Sequence, residues 1–270
     1  EISVSTAGDW TASAGDAANW CTVENGSGSG IGKFVIKVAE STDYQYRTAD
    51  VKVVSGQLER IVHVQHVGTK IGELVWANAN VDEPDTFGKN CQVRGKLYQW
   101  NSKKGYPSYS ANDHGDPEKV VPGFETGQKD SMSETWTEEN DPCPDGWRVP
   151  SWDEVKTLIG AELSTPTFWF DYWMTNGMSV AGAYVGLDRE LMKTECRPGH
   201  LGGAIFIPQA GMISRDSGKQ ENWWSVVLWT STNVGQTWDM HGIWMDGNNN
   251  CGFTDWYGSM SGLSVRCVQK

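Results

Sequence analysis

The chain has no apolar run that approaches the roughly 20 residues required for a membrane-spanning helix, and it is poor in basic residues. Its 22 Lys and Arg stand against 34 Asp and Glu, which gives a net charge of −12. Proteins that bind nucleic acid need a face rich in Lys and Arg to neutralise phosphates, and anionic membrane surfaces require the same. We therefore expect no transmembrane segment, no nucleic-acid partner and no binding to an anionic bilayer.

Sequence motifs of catalysis and of metal binding are also missing. The chain has no Gly-x-Ser-x-Gly elbow, no His-Glu-x-x-His, no phosphate-binding loop and no EF-hand spacing. Carboxylates are abundant, but nothing in the sequence singles out two of them for glycoside hydrolysis. His63 and His66 would lie on opposite faces of a strand, so their spacing does not predict a metal site. The sequence predicts a protein that is not an enzyme.

The six cysteines are scattered singly along the chain. They are Cys21, Cys91, Cys143, Cys196, Cys251 and Cys267. No CxxC pair and no His at zinc-finger spacing accompanies them. Isolated cysteines of this kind favour disulfides in an oxidising compartment over metal ligands. Six cysteines allow about 15 complete pairings, and spacing alone does not choose among them.

Composition changes near Gly68, and this change divides the chain into two predicted domains, residues 1–67 and 68–270. Only two of the 15 Trp precede Gly68. The first domain contains alternating runs rich in β-branched residues, which are typical of strands: Phe34–Val38, Ala49–Val53 and Arg60–Gln65. Gly26–Gly30 and Ser55-Gly56 are predicted as turns between strands. Short strands at near-regular spacing without a helical period predict a small all-β sandwich.

The first domain resembles the BACON family of immunoglobulin-like sandwich modules. The resemblance lies in Trp10, Trp20–Val23, Gly28–Gly30, Arg47–Ala49 and a final strand that contains Val64-Gln65. Modules of this family are attached to secreted glycan-degrading or surface proteins of gut bacteria. The resemblance implies that this domain is a spacer or a weak glycan binder.

The second domain shows a mixed pattern of turns, strands and one helix. Pro144–Gly146 predicts a turn, and Ser151 with Glu154 predicts a capping box for a helix through about Ile159. The apolar stripe of that helix is Val155, Leu158 and Ile159. Strands are predicted at Leu74–Ala77, Gly95–Trp100, Ala204–Gly211, Val226–Thr232 and Leu263–Val268. Residues 101–140 predict a long surface excursion, and Thr167–Trp173 fits either a helix or an aromatic strand.

Four segments of the second domain resemble, in order, the Fibrobacter succinogenes major paralogous domain. They are Cys143–Val155, Ile207–Gly211, Leu228–Thr232 and Ser264–Val268. This family comprises secreted bacterial surface modules related to the C-type lectin fold. The resemblance implies an α+β C-type lectin-like domain after the all-β immunoglobulin-like sandwich. It also implies a disulfide between Cys143 and Cys267, and we expect Cys21 to be buried and unpaired.

Aromatic residues alternate with amides and carboxylates between Trp223 and Tyr257. A sugar site needs a flat aromatic face for the apolar side of a pyranose, and amides or carboxylates for its hydroxyls. We place such a site on loops between the strand of Trp229 and that of Leu263. The candidate ligand-binding residues are Trp238, Trp244, Asp246, Asn248, Asn249 and Trp256. Two alternatives stay open: the tryptophans, Trp229 above all, belong to a core, and Asp246–Asn250 is a simple turn.

We expect no cofactor, with calcium as the alternative. C-type lectin-like folds often hold Ca²⁺ through oxygen ligands on loops, and the candidate ligands are Asp239, Asp246, Asn248 and Asp255. The Glu-Pro-Asn or Gln-Pro-Asp tripeptide of calcium-dependent sugar-binding lectins is absent from this segment. Glu83-Pro84-Asp85 has a similar sequence, but it lies at the other end of the domain.

An enzymatic alternative comes from the same superfamily, which includes the formylglycine-generating enzymes. Their chemistry uses two cysteines, and Cys196 with Cys251 or Cys267 would be the candidates here. Structural disulfides are the favoured interpretation, because Cys267 lies within a strand pattern and Arg266 is its only cationic neighbour in sequence.

Together these patterns predict a secreted bacterial protein, attached to the outer membrane at the cell surface, that acts in adhesion. Its predicted ligand is a carbohydrate or a glycoprotein, and a fimbrial tip component is one form that such a protein takes. Other surface or fimbrial subunits are further candidate partners. The alternative from another class is a purely structural cell-surface or pilus module that binds other subunits by strand addition.

Overall fold

The computed structural model describes residues 1–17, 19–39, 47–109, 119–127, 135–159, 168–175, 178–186, 204–222, 224–233, 239–248 and 250–270. For residues 65, 168–175, 178–179, 239 and 253–256 only the backbone is described. Most of the described residues lie in sheets. The chain divides into two compact units, Glu1–Val67 and Gly68–Lys270. In the described part of the chain, no helix is both long and apolar enough to cross a membrane.

The unit Glu1–Val67 is built of antiparallel strands. They are β1 (Ile2–Ser13), β2 (Cys21–Glu24), β3 (Ser27–Val38), β4 (Arg47–Ser55) and β5 (Leu58–His66). Hydrogen bonds connect them in the order β2-β3-β1-β4-β5. The strand β3 is shared, since its first part pairs with β1 and its last four residues pair with β2. The predicted all-β character and all three predicted strands are confirmed, whereas a division into two facing sheets stays a prediction.

The prediction of a turn at Gly26–Gly30 is wrong, because β3 already begins at Ser27. Glycine is needed here for packing. A Cβ atom on Gly28 would lie 2.6 Å from the Trp10 ring, and one on Gly32 would lie 2.7 Å from it. Two glycines in the strand thus make room for an indole that is only 2% exposed. The predicted turn at Ser55-Gly56 is confirmed, with Gly56 at φ 58° between β4 and β5.

The core of this unit surrounds Trp10 and Phe34, whose ring centroids are 6.1 Å apart. Cys21 belongs to this core and is a free, fully buried thiol, as predicted. His63 lies on β5 with an exposed side chain, and its Nδ1 is 2.7 Å from Asp50 Oδ1 on the neighbouring strand. The contact is a pair on the surface between neighbouring strands.

The unit Gly68–Lys270 contains the helix α1 (Trp152–Ile159) and many short strands. The strands before the helix are β6 (Gly68–Ile71), β7 (Leu74–Ala77), β8 (Val81–Glu83), β9 (Thr86–Phe87), β10 (Leu97–Tyr98), β11 (Gly105–Tyr106) and β12 (Trp147–Arg148). Those after it are β13 (Phe168–Thr175), β14 (Met178–Val185), β15 (Ile205–Pro208), β16 (Met212–Ile213), β17 (Gln220–Glu221), β18 (Ser225–Asn233), β19 (Asp239–Asp246), β20 (Cys251–Gly258), β21 (Leu263–Ser264) and β22 (Val268–Gln269). The segment from Phe168 is therefore a strand, which settles the helix-or-strand alternative for this segment.

These strands form one large sheet and several smaller ones. The six-stranded sheet has the order β11-β10-β21-β18-β19-β20, and a four-stranded sheet has the order β12-β22-β7-β6. A three-stranded sheet has the order β13-β14-β15, and two pairs, β16-β17 and β8-β9, complete the described ladders. The large sheet is antiparallel except where β21 runs parallel to β18. The β-rich character is plain, and the C-type lectin-like fold stays a prediction.

The helix α1 begins at the predicted capping box and lies in the main core. Ser151 N donates to Glu154 Oε2 at 2.8 Å, and Glu154 N donates to Ser151 Oγ at 3.3 Å. Its predicted apolar stripe is buried, with Val155, Leu158 and Ile159 all at 2% exposure or less. The stripe packs with residues of the four-, three- and six-stranded sheets in a single cluster. The helix thus joins three sheets of this unit.

The prediction that residues 101–140 form a surface excursion is only partly right. Tyr106, Val121, Phe124 and Trp136 are buried. The first three form a second core with Leu97 and residues near Ile213. These four buried apolar residues attach the segment to the rest of the unit. The polar composition around them does not reveal this in the sequence.

The predicted closing strand Leu263–Val268 is two short strands in different sheets, β21 and β22. Between β21 and β22 the backbone accepts hydrogen bonds from single residues of another segment: Val81 N donates to Val265 O, and Ala77 N donates to Cys267 O. The side chain of Arg266 is fully buried at this crossing. A strand that passes from one sheet to the next cannot maintain one continuous ladder, and this accounts for the split.

The predicted disulfide between Cys143 and Cys267 is present, and both residues are buried. It joins the segment before β12 to the segment before β22. The predicted turn beside it is confirmed, since Trp147 N donates to Pro144 O at 2.9 Å and Gly146 has φ 82°. Asp141 accepts hydrogen bonds from Cys143 N and Val149 N through its two carboxylate oxygens. Burial raises the pKa of Asp141, and these two N–H donors oppose that rise.

Candidate ligand-binding surface

One end of the six-stranded sheet combines an exposed tryptophan with a polar turn. Ser225 and Asp246 are paired residues of β18 and β19, at the point where this ladder ends. Trp224 directly precedes Ser225, and Gly247–Asn250 directly follow Asp246 on the way to β20. Antiparallel pairing therefore places Trp224 and the turn at the same end of the sheet. We call this surface, formed by Trp224, Ser225, Asp246, Asn248 and Asn250, the sheet-end patch.

The backbone around Trp224 is fixed by hydrogen bonds, whereas its side chain is exposed to solvent. Its side chain is 62% exposed, and the other exposed large hydrophobic residues of the described chain are aliphatic. Asn222, with φ 53°, opens the turn that carries Trp224. Ser225 closes this turn, because its N and Oγ both donate to Asn222 O, at 3.0 and 2.8 Å. An exposed indole on an anchored turn is a ready platform for stacking, since little order has to be gained on binding.

Asp246 organises the polar turn. Its Oδ1 accepts from Asn248 N and Asn250 N, both at 2.9 Å, and its Oδ2 accepts from Asn250 Nδ2 at 3.2 Å. Asp246 N in turn donates to Asn250 O. The exposed carboxamide of Asn248 makes no hydrogen bond within the described residues. Asp246 thus shapes the turn, whereas the Asn248 amide leaves a donor and an acceptor exposed to solvent.

The core alternative is confirmed for Trp229. It is fully buried, and its indole Nε1 donates to Tyr98 O at 2.7 Å. Trp100 is similar, with Nε1 donating to Thr230 O. Trp76 is also buried in the main core. Each of these indoles is buried in the core or donates a hydrogen bond to the backbone, whereas the indole of Trp224 is exposed.

The prediction that loops connect the strand of Trp229 to that of Leu263 is wrong for most of this segment. This part of the chain forms β19 and β20, two eight-residue strands that pair antiparallel. The alternation of its aromatic and polar residues is thus the pattern of paired strands. Trp244 lies on β19 and is half-buried, with its indole packed across Gly252 of the neighbouring strand. Trp256 lies on β20, where only the backbone is described. Trp238 and Asn249 fall outside the described residues.

Asp246 and Asn248 are therefore the two predicted site residues that the structure brings together in one exposed place. Trp224, their aromatic neighbour, is missing from the predicted set although it lies in the same Trp-rich segment. The signal that could have found it is its position between Asn222 and Ser225, two turn-forming residues that precede a hydrophobic strand.

A shared calcium site for Asp239 and Asp246 is ruled out by the strand that separates them. They occupy the two ends of β19, which at about 3.3 Å per residue puts their backbones roughly 23 Å apart. Calcium ligands lie within about 2.6 Å of the ion. In the ranges that the structure describes, no group of three His, Cys, Asp or Glu residues is arranged to hold a metal.

The structure removes one of the two cysteine pairs suggested by the enzymatic alternative, that of Cys196 with Cys267. Cys267 is bonded to Cys143, so it has no free thiol for catalysis. Cys251 lies at the start of β20, and Cys196 lies outside the described residues. Cys91 is free and buried, and burial raises its pKa to about 11. A thiol with this pKa is not ionised at neutral pH and is a poor nucleophile.

In class, the molecule is a β-rich protein with two compact units and an exposed aromatic and amide surface at one sheet end. The comparison with protein families matches residues 9–64 to BACON, described as "Putative binding domain, N-terminal". The match lies within the unit Glu1–Val67 and covers about a fifth of the chain, so the predicted BACON-like character of this unit is supported. No curated protein and no solved structure matches the chain.

Proposed function

We propose that this chain is a non-enzymatic binding protein of the bacterial cell surface that recognises carbohydrate through the sheet-end patch. The observation that carries the proposal is the exposed indole of Trp224 beside the Asp246–Asn250 turn. A pyranose has an apolar face, which stacks on an indole, and a rim of hydroxyls, which pairs with amides. The patch offers both groups on backbone that is already fixed.

The match of residues 9–64 to a binding domain supports a binding role for the chain. The disulfide between Cys143 and Cys267 supports a location outside the cytoplasm, because such bonds form and persist in oxidising compartments. In this proposal the two units have different roles. The unit Glu1–Val67 serves as a spacer or a weak binder, and the unit Gly68–Lys270 carries the patch. Adhesion through a glycan or a glycoprotein, at the outer membrane or at a fimbrial tip, is the setting that we propose.

A broad screen against immobilised glycans tests this function directly. The whole chain, labelled with a fluorophore, should bind one group of related glycans, and Trp224→Ala should lose most of that signal. A chain with Ile31→Ala, which removes another highly exposed apolar side chain, serves as the matched control and should keep it. Absence of any glycan signal would contradict the proposal and favour the structural surface module.

A further inference from the structure

A cavity of about 440 Å³ lies between the helix α1 and the turn of the β6–β7 hairpin. The hairpin lines it with Ile71, Gly72, Glu73 and Leu74, and the helix lines it with Asp153, Glu154, Thr157 and Leu158. We call this cavity the helix–hairpin groove. It shares no residue with the sheet-end patch. Its volume falls in the range of about 300–1,000 Å³ that is typical of ligand sites.

The floor of the groove is apolar and firmly supported. Ile71 and Leu158 are 5% and 2% exposed and belong to the main core, and Leu74 packs against that core. Ile71 pairs with Leu74 across the two-residue turn of the hairpin, where Gly72 has φ 62°. A left-handed conformation of this kind favours glycine. The hairpin turn is therefore fixed by its sequence, and the groove exists before any ligand arrives.

The rim of the groove is acidic. Among the eight lining residues that the structure describes, three are carboxylates and none is basic. Glu154 is already bound by Arg148 through two hydrogen bonds. Asp153 pairs with Lys156 one turn along the helix, but its side chain is 86% exposed. Glu73 is exposed and forms no ion pair with the residues that the structure describes.

We propose that the helix–hairpin groove binds a lysine or arginine side chain presented by a peptide segment of a partner protein. The aliphatic stem of such a side chain would cover Ile71, Leu74 and Leu158, while its charged head reaches the carboxylate of Glu73 or Asp153. Lysine and arginine combine both properties, since their methylene stems bury readily while the head stays at the rim. The volume accommodates the side chain together with its neighbouring residues.

Other ligand chemistries fit the groove less well. A purely apolar ligand would draw carboxylates out of water without a partner for them, which is costly. An acidic segment would be repelled by the rim. None of the described residues that line the groove is aromatic and able to stack on a sugar, so this site and the carbohydrate site that we propose differ in chemistry as well as in place.

Three tripeptides test the proposal on the whole ¹⁵N-labelled chain. They are acetyl-Leu-Lys-Leu-amide, the same peptide with uncharged norleucine in the centre, and the same with glutamate. We expect the lysine peptide to shift the amide signals of residues 71–74 and 153–158 in a saturable way. The norleucine peptide should bind at least about threefold more weakly, and the glutamate peptide should not bind. Equal binding of the lysine and norleucine peptides, or no shift in these segments, would overturn the proposal.

Glu73→Gln keeps the shape of the exposed turn while it removes one charge. We expect it to weaken the lysine peptide at least about threefold without affecting the norleucine peptide. Glu59→Gln, a matched change of an exposed glutamate on β5, should affect neither. Thr157→Trp, at an exposed position on the helix, should obstruct the groove and weaken both peptides. Trp224→Ala should leave all three titrations unchanged, so a failure here can be told apart from a failure of the carbohydrate proposal.

Discussion

At the scale of single residues, Arg266 is a buried cation that is held by neutral oxygens. Its guanidinium donates to Asn80 Oδ1, Ala77 O and Phe206 O, at 2.9, 2.9 and 3.1 Å. It has no carboxylate partner within the described residues. Burial lowers the pKa of Arg266 to about 9, which still leaves it charged at neutral pH. Three acceptors from two distant segments therefore depend on one side chain.

We expect Arg266→Met to lower the free energy of unfolding by at least about 3 kcal/mol, because it leaves these buried acceptors without their donor. Arg266→Lys should rescue only part of this loss, since a single ammonium cannot reproduce the planar fork. Urea unfolding followed by tryptophan fluorescence measures both. Arg60→Lys, an exposed change on β5, should cost less than about 0.5 kcal/mol. Wild-type stability in Arg266→Met would contradict this role.

Glu154 is a partly buried carboxylate whose pKa is set mainly by its partner Arg148. The hydrogen bonds from the Arg148 guanidinium, at 2.8 and 2.5 Å, are the main reason that the pKa of Glu154 is lowered. A lowered carboxyl pKa means that the folded state binds fewer protons than the unfolded state in mildly acidic solution. Its contribution to stability is present above the unfolded pKa of about 4.3 and is lost as the pH falls through the folded pKa.

Glu154→Gln should therefore reduce the free energy of unfolding by about 1 kcal/mol at pH 7 and by progressively less as the pH is lowered below 4. Urea unfolding at several pH values measures the difference. Glu59→Gln is the control, because the Lys52–Glu59 pair is about half exposed at both ends. Its effect on the free energy of unfolding should stay below about 0.5 kcal/mol. A deficit for Glu154→Gln that stays constant into acid would contradict the assignment.

At the scale of the elements, glycines placed opposite aromatic rings shape several strands. Gly28 and Gly32 on β3 accommodate Trp10, and Gly252 on β20 accommodates Trp244. A residue without Cβ lets the ring of a paired strand lie flat across the backbone. Glycine-rich stretches in this chain thus have two uses, and their composition alone does not distinguish a turn from a packed strand.

Gly28→Ala should destabilise the unit Glu1–Val67 by about 1–3 kcal/mol, because the added methyl overlaps the Trp10 ring and the core must shift to admit it. Gly8→Ala on β1 is the matched control, since its Cβ would meet nothing closer than 4.0 Å. That change should be neutral or slightly stabilising. Calorimetric melting of both variants gives the comparison, and equal melting temperatures would refute the packing role.

The elements also indicate what the sequence can and cannot predict. The capping box at Ser151 and Glu154, the Pro144–Gly146 turn and the β-branched runs are local signals, and all were found in the sequence. The pairing of Ser264 with Leu228, and of Val268 with Trp76, depends on contacts between distant segments. Trp224 and Trp229 are five residues apart and identical in type, yet one is exposed and one is buried. The place where β18 begins decides between them, and the turn-forming Asn222 and Ser225 are the local signal of that place.

At the scale of the whole molecule, the two units have separate cores, and the disulfide lies entirely within the second. Cys143 and Cys267 are 124 residues apart, so the bond restricts most of the unfolded chain of that unit. In the chain-entropy model this contributes at most about 5 kcal/mol. We therefore expect the two units to unfold in separable transitions.

Replacing Cys143 and Cys267 together by alanine should lower the melting temperature of one transition and leave the other unchanged. Since 13 of the 15 tryptophans lie beyond Gly68, tryptophan fluorescence reports mainly the affected unit, and calorimetry reports both. Cys21→Ser is the complementary control, because it places a hydroxyl in the core of the first unit and should move only the other transition. A single transition that both variants shift equally would show that the two units unfold together.

The central claim, carbohydrate recognition through the sheet-end patch, is tested most directly by measuring affinity and stability on the same variant. For a glycan identified by screening, titration calorimetry of Trp224→Ala should show at least a tenfold loss of affinity, or about 1.4 kcal/mol. Its melting temperature should stay within about 1 °C of the wild type, because an exposed indole contributes little to the core. Trp224→Phe should restore part of the affinity. Unchanged glycan affinity in Trp224→Ala, with the fold intact, would contradict the account.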